Sequence, residues 1–340
     1  MYLLIKTAHT FKNMFFSTLS TYLLVCYLII CVLALIVFIK RCLNRKRVQV
    51  KAKTVVITGG SSGVGLALAQ ECLNRGASKV ALIARNVDGL NRAIKSLRIN
   101  DGQEVKGFSA DVSEHESIAN AFKEIEGNFF DKIDFLFVNA GAAMPQMLKD
   151  IDIDVLGKQC DVNLKGAMLT TKAALNMLSK DAHINYSGSI CSILTFSGYS
   201  GYGTAKTGLR GLSDTMRNEF CHTDIKVHFS IISSVDTPGY KVECLKKPEA
   251  CKRIEGTASL FKPEQIAKLI FDGIDRGDYY ITMEFLSWIM LELGYGITPT
   301  NNIFLQMVVS PFLPIIRKGA LIYIDCLAKH SDPLEKEKNE

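Results

Sequence analysis

The 340 residues contain no CxxC pair, no regular cysteine framework and no HExxH or similar histidine spacing. Ten cysteines are present, but they are scattered, with Cys26 and Cys31 inside an apolar run. That pattern argues against a disulfide scaffold and a thiolate metal site, and leaves free buried thiols in a reducing compartment as the reading. No metal is predicted. Tandem repeats are also missing, which speaks against a solenoid. Basic residues are not interleaved with aromatics along a surface, and no nucleic-acid motif occurs, so no nucleic acid is expected as a partner.

Charge is missing altogether from residues 21–39, TYLLVCYLIICVLALIVFI. As a helix this run covers roughly 30 Å, the thickness of a bilayer core. It is longer than the apolar core of a signal peptide and ends in Lys40-Arg41 rather than a small-residue cleavage site, so an uncleaved transmembrane anchor is expected. Much of the formal net charge of +6 lies just beyond it, in Lys40, Arg41, Arg45, Lys46, Arg47, Lys51 and Lys53, against Lys6 and Lys12 before it. The positive-inside rule then puts the following domain in the cytosol. Lys336 and Lys338, third and fifth from the end, resemble a dilysine endoplasmic-reticulum retrieval signal, which works on the same side.

Beyond the anchor, short β-branched runs alternate with helical stretches. Strands are expected at residues 54–58, 79–84, 105–110, 134–139, 183–189 and 227–233. Helix is expected at 63–76 and over most of 150–180. This alternation predicts an α/β fold, a Rossmann-type doubly wound parallel sheet behind an N-terminal transmembrane helix, with ligands at the carboxyl ends of the strands. Residues 241–260 read as a mobile substrate-side segment. A helix opens at Lys262-Pro263-Glu264. Two apolar patches come next, 281–297 and 303–316, the second broken by Pro311 and Pro314. They suit a core element, a subunit contact or a re-entrant membrane patch. The expected divisions are an anchor with basic flank at 1–48, a Rossmann-fold domain at 49–280, an apolar membrane-associated or substrate-side region at 281–330, and a charged cytosolic tail at 331–340.

Two patterns carry the chemistry. Thr58-Gly59-Gly60-Ser61-Ser62-Gly63-Val64-Gly65 lies between a strand and a helix, where glycine lets the backbone approach a pyrophosphate and the helix start offers free N–H groups. At the end of the second strand, where an NAD-binding chain often has an acid, stands Arg85, a fixed cation suited to a 2′-phosphate. The cofactor expected is therefore NADPH. Tyr202 and Lys206 are four apart and share a helix face. An ammonium beside the phenol is expected to lower its pKa from near 10, so that Tyr202 can protonate a carbonyl oxygen as hydride arrives.

TGGSSGVG, Asp111-Val112, Asn139-Ala140-Gly141, Asn163 and YxxxK stand in the order found in short-chain dehydrogenases/reductases, which the chain resembles over roughly residues 54–239. The resemblance implies phosphate contacts at Gly59, Ser61, Ser62, Gly63 and Gly65, and adenine contact at Asp111. It implies a supporting role for Asn139 and its two neighbours, and ribose binding by Tyr202 and Lys206. Asn163 would keep a helix bent and anchor a relay water. A catalytic serine is implied thirteen residues before the tyrosine, at Ser189. The strand there is more polar than usual, and Ser192 is the alternative if the strand ends later. Asn185-Tyr186-Ser187 is formally a glycosylation sequon, which a near-core strand would hide.

Val235-Asp236-Thr237-Pro238-Gly239 is similar to a segment of the 3-ketodihydrosphingosine reductases, and so is KPEQIAKLIFDGIDRGDYYI further on. Thr237 would contact the nicotinamide carboxamide. Gly89 departs from that subfamily, which tends to offer a lysine near the 2′-phosphate. The resemblance implies reduction of 3-ketodihydrosphingosine to dihydrosphingosine in sphingolipid synthesis, at the endoplasmic-reticulum membrane and facing the cytosol. The partners implied are a long-chain keto-base lipid and, as usual in this family, further copies of the chain. Two rivals remain: a steroid or retinoid dehydrogenase of the same superfamily, and a non-catalytic membrane scaffold that kept the fold.

Overall fold

A computed structural model describes residues 20–37, 39–40, 47–256, 259–293 and 303–329. They fall into two units, one within residues 1–45 and 299–318, the other within 46–298 and 319–340. The first contains α1 (Ser20–Val37), 18 residues of mean hydropathy 2.7 with 6% of the span buried, long and apolar enough to cross a membrane. Leu23, Leu24 and Ile29 on it are exposed. Arg41, Arg45, Lys46, the early lysines, and the tail with Lys336 and Lys338 lie outside the described residues.

The second unit is built on seven parallel strands. In chain order they are β1 (Thr54–Thr58), β2 (Lys79–Ala84), β3 (Glu104–Ser109), β4 (Ile133–Val138), β5 (Leu178–Ser187), β6 (Lys226–Ile231) and β7 (Tyr280–Thr282). Their order across the sheet is β3-β2-β1-β4-β5-β6-β7. Between them run α2 (Gly63–Asn74), α3 (Val87–Ser96), α4 (His115–Asn128), α5 (Ile153–Cys160), α6 (Gly166–Ala174), α7 (Ser200–Glu219), α8 (Pro238–Leu245), α9 (Glu249–Glu255) and α10 (Pro263–Asp275). After β7 come α11 (Phe285–Leu293), α12 (Ile303–Val309) and α13 (Leu313–Lys329).

Period-two alternation in the strands feeds two cores. Val56, Leu136, Val138, Ile184 and Tyr186 join residues of α4, α6 and α7 on one face. Val55, Ile57, Phe135 and Phe137 join residues of α2, α3 and α10 on the other. Each large apolar side chain so buried contributes about 1.5–3 kcal/mol. On the second face α10 packs along α2. Asp275 accepts both Arg75 Nη1, at 2.9 and 3.1 Å, and the Val48 amide at 2.9 Å.

β3, β4 and β6 each begin one residue earlier than expected, and larger differences lie elsewhere. β5 starts at Leu178, not His183, and ends at Ser187, because Leu178 pairs with Ile133 across a register shift. Ser179 Oγ also holds Asp134 at 3.0 Å. Residues 178–180 are thus strand, not helix. Residues 241–255 are ordered in α8 and α9 rather than forming one loose segment, held by the bonds of Tyr199 and Lys247 to Glu243 and Glu255, while 257–258 lie outside the described residues. Tyr280–Thr282 adds a seventh strand beside β6, carrying the sheet two residues past position 280. Lys53 of the basic cluster is spoken for by Asp134 at 2.8 Å and Asp181 at 3.5 Å. In 303–316, a turn of 3₁₀ helix at Ser310–Phe312 separates α12 from α13, where Pro311 interrupts the helical ladder.

Candidate active site

Every predicted site residue but Asn163, Tyr202 and Lys206 follows the carboxyl end of a strand. The glycine turn follows β1, Arg85 β2, Asp111 β3, Asn139 β4, Ser189 β5 and Thr237 β6. Sheet order alone therefore gathers them along one edge, around the β1/β4 switch point where such folds bind ligands.

In the turn, Gly63 has φ +56°, a left-handed conformation that favours glycine. A Cβ on Gly65 would fall on the Gly59 carbonyl oxygen, so the helix start can approach the turn only as glycine. Ser62 is the N-cap of α2 in extended conformation, and its side chain makes no capping hydrogen bond. The first-turn amides are thus left uncapped by it, as an anion site requires. Ser61 is half-buried and Ser62 exposed beside them. Thr58 Oγ1 accepts the amides of Asn139 and Ala140 at 3.0 and 3.1 Å, and Asn139 Nδ2 donates to Thr58 O at 3.2 Å. Those bonds lock the β4 end to the turn.

The Arg85 side chain is 73% exposed, with Nη1 3.7 Å from Asp111 Oδ2. Burial pushes the Asp111 carboxyl up, but hydrogen bonds from Ser113, then the Arg85 charge, outweigh it and hold the group below its usual range. Gly89 sits in the first turn of α3, its amide donated to Asn86 Oδ1 at 2.7 Å. Thr237 caps α8 by accepting the Tyr240 amide at 3.0 Å. Its Cγ2 lies 2.9 Å from where a Gly63 Cβ would stand, so it closes over the glycine turn.

The Tyr202 and Lys206 side chains come from one face of α7, with the ammonium 5.6 Å from the phenol ring centroid. Lys206 Nζ donates to Ser187 O at 2.7 Å, and Ser187 Oγ donates to Asn139 Oδ1 at 3.1 Å. Burial lowers the Lys206 pKa to about 8. Burial also pushes the Tyr202 phenol well above its ordinary value, aided by the Cys191, Glu243 and Glu255 charges and opposed by a hydrogen bond from Ser189. The expectation that Lys206 lowers the phenol is thus corrected. Loss of water disfavours the charged form of each group, and the Lys206 ammonium is turned to a carbonyl. The site holds a phenol that keeps its proton at neutral pH.

The two serines take different places. Ser189 faces the Tyr202 phenol. Ser189 caps the 190–192 turn, its Oγ accepting the Cys191 amide at 3.2 Å, and Ser192 Oγ accepts the Ser189 amide in return at 3.1 Å. Most polar groups of the strand are paired inside the fold: Tyr186 meets Thr171 at 2.9 Å, and Asn185 Oδ1 accepts Ser230 at 2.7 Å, while the buried Asn185 Nδ2 has no hydrogen-bond partner. Asn185 is 1% exposed, which closes the sequon in the folded domain. Asn163 lies in a π-helical turn, Asp161–Lys165, between α5 and α6. Its Nδ2 donates to Ala142 O and Gln159 O at 2.8 Å, and its Oδ1 accepts the Ala142 amide at 3.3 Å. A Cβ on Gly141 would stand 2.6 Å from that Oδ1 and 3.3 Å from Lys206 Nζ.

Sequence reasoning missed Thr58, Ser187 and Tyr199. A hydroxyl at a strand's carboxyl end was the available signal for the first two. A cavity of about 520 Å³ is lined by Met147, Leu148, the 195–200 loop, Thr204 and Thr207.

The family model of the short chain dehydrogenases matches residues 53–244. A 3-dehydrosphinganine reductase of Arabidopsis thaliana is 31% identical over 281 residues, covering 81% of this chain and 83% of its own length. A 3-ketodihydrosphingosine reductase of Dictyostelium discoideum is 30% identical over 290 residues, covering 79% and 85%. A short chain dehydrogenase/reductase of Burkholderia phymatum, solved in complex with NAD, shares the fold at TM-score 0.64 and 21% identity, over 74% of this chain and 99% of that one. With the sheet order, the glycine turn and the Tyr202–Lys206 pair already traced, the conclusion is direct: the chain belongs to the short-chain dehydrogenase/reductase family and is an oxidoreductase acting between a hydroxyl and a carbonyl.

Proposed function

We propose that the chain uses NADPH to reduce the keto group of 3-ketodihydrosphingosine to dihydrosphingosine. The observation that carries the chemistry is the Ser189–Tyr202–Lys206 grouping beside the glycine turn, with Ser189 and Lys206 buried and Tyr202 half-buried. The substrate comes from the relatives, whose names state that activity over four-fifths of this chain. Gly59, Ser61, Ser62, Gly63 and Gly65 would hold the pyrophosphate, Arg85 the 2′-phosphate, Asp111 the adenine and Thr237 the carboxamide. The uncapped α2 amides and the close approach of the helix start to the turn at Gly65 fit such a group. Bound NADPH supplies the hydride. Tyr202 Oη gives its proton to the carbonyl oxygen, Ser189 Oγ orients that oxygen, and Lys206 Nζ holds ribose. Asn139 and Asn163 fix the frame, Asn163 with a relay water.

The same reading places residues 1–48 as an anchor in the endoplasmic-reticulum membrane and 49–280, with the sheet running on to Thr282, as the reductase domain in the cytosol. Residues 281–330 would lie against the lipid side, ahead of the tail at 331–340. The apolar length of α1 supports the anchor. A long-chain base partitions into the bilayer at about 0.8 kcal/mol per buried CH₂, so a tethered enzyme meets it there. The full-length chain in phospholipid vesicles should oxidise NADPH with 3-ketodihydrosphingosine, and not with a steroid ketone or retinal. Turnover with either of the latter, and none with the keto base, sinks the proposal.

A further inference from the structure

The loop between Ser189 and α7 is clasped from outside by α8 and α9. The Tyr199 hydroxyl donates to Glu243 Oε1 at 2.5 Å and also meets Glu255 Oε1. The Lys247 ammonium completes the ring, on Glu243 Oε1 at 3.0 Å and on Glu255 Oε2. Tyr199 is 3% exposed, and the Lys247 side chain likewise 3%. Beneath this ring Cys191, Tyr199 and Cys251 form a small apolar cluster with Phe196 and Tyr202 against it. Cys251 Sγ donates to Ser197 O at 2.7 Å, and Gly198, at φ +89°, passes under Cys251 where a side chain would collide. The Tyr199 and Tyr202 rings are 5.8 Å apart. α8 starts at Thr237 over the glycine turn and ends in the ring, so one short helix joins both halves of the site.

A buried ring of two carboxylates and one ammonium is a poor source of stability, because desolvation cancels most of the attraction. It is a good source of fixed geometry, since each member is bound twice.

We propose that Tyr199 is a positioning residue: through Glu243, Lys247 and Glu255 it seats α8 and α9 on the 190–199 loop, and its ring holds Tyr202 and the Ser189 turn in reacting position. The role rests on the reading of Tyr202 as proton donor. It takes no part in bond making. Unclasped, α8 and α9 lose the contacts that order them, and Tyr202 loses one wall.

Tyr199→Phe in the full-length chain removes the one hydroxyl. Turnover should fall about tenfold, the scale of a small misplacement of reacting groups, while NADPH affinity stays within about threefold. Tryptic cleavage of the native protein after Lys241, Lys246 or Lys252 should quicken severalfold. Turnover within about twofold of wild type, or lost turnover with unchanged cleavage, overturns the proposal. So does a parallel loss of turnover, cofactor affinity and melting temperature, the mark of a merely structural tyrosine. Glu255→Gln, which keeps the size and opens the ring at another member, is read by the same criteria and serves if the first variant does not fold. Tyr202→Phe should leave cleavage unchanged. Turnover surviving there defeats the proton-donor reading, while the clasp stands or falls by the cleavage rates.

Discussion

Lys206 and Ser187 are joined by a 2.7 Å hydrogen bond from the ammonium to the serine carbonyl, and the serine hydroxyl reaches on to Asn139. This chain of bonds ties α7, β5 and β4 together beneath the place where the phenol stands. It also gives the ammonium one fixed partner in a site that strips water from it.

Turnover should therefore follow the charge on Lys206. Burial brings its pKa from 10.5 down to about 8, so the ammonium is present below that value and lost above it. We expect kcat/KM of the free enzyme to fall as pH rises through about 8. Lys206→Met should lower turnover by about 10²-fold or more. A profile flat to pH 9.5 would contradict this.

Tyr202→Phe keeps the ring between Tyr199 and the pocket and removes the transferable proton. Turnover should drop by about 10³-fold, with NADPH binding retained when followed by nicotinamide fluorescence. An active Phe variant ends the assignment of Tyr202 as donor.

Arg85 is the cation at the carboxyl end of β2, and Gly89 beside it offers no second charge. Arg85→Ala should raise the KM for NADPH by about 10- to 100-fold and leave that for NADH nearly unchanged. Equal effects on both cofactors would remove the 2′-phosphate role.

At the other end of the sheet His183 Nδ1 and His228 Nε2 are 3.0 Å apart, and His228 Nδ1 donates to Asp278 O at 2.6 Å. The pair is neutral, since burial and then repulsion from His228 lower His183 to about 3, and burial lowers His228 to about 4. Unfolded imidazoles bind protons near pH 6.5 and the folded ones refuse them, so stability holds above that value and is lost as pH falls toward 4. Urea unfolding at pH 4.5 against pH 7.5 should show a loss on the order of 5 kcal/mol for the two imidazoles together, which His183→Gln should cut by about half. An identical loss in wild type and variant would exclude the pair as its source.

Much of this was legible in the sequence where local and global preferences agree. β1 and β2 are short apolar runs buried along their middles, each preceded or followed by a glycine turn, and the expected bounds match the observed ones. Tyr202 and Lys206 share a face because helical spacing demands it. β5 was misplaced because Lys180 and Asp181 read as helix surface, while strand pairing across the Ile133/Phe135 shift overrides that propensity. The choice between Ser189 and Ser192 depended on a capping turn two residues past the strand, which no periodicity reveals. α8 and α9 were read as loose because what orders them is tertiary: Tyr199 and Glu243 are 44 positions apart. The direction of the Tyr202 shift was missed because spacing shows a neighbouring charge and hides the loss of water.

The Arg75–Asp275 pair spans 200 positions, and that separation sets a timetable for synthesis. While the ribosome has delivered only β1 to β6, the face bearing Ile57, Phe135 and Phe137 has no α10 to cover it. The emerging polypeptide carries an open apolar surface until Phe271 and Asp275 are out, and it needs chaperone cover up to that point.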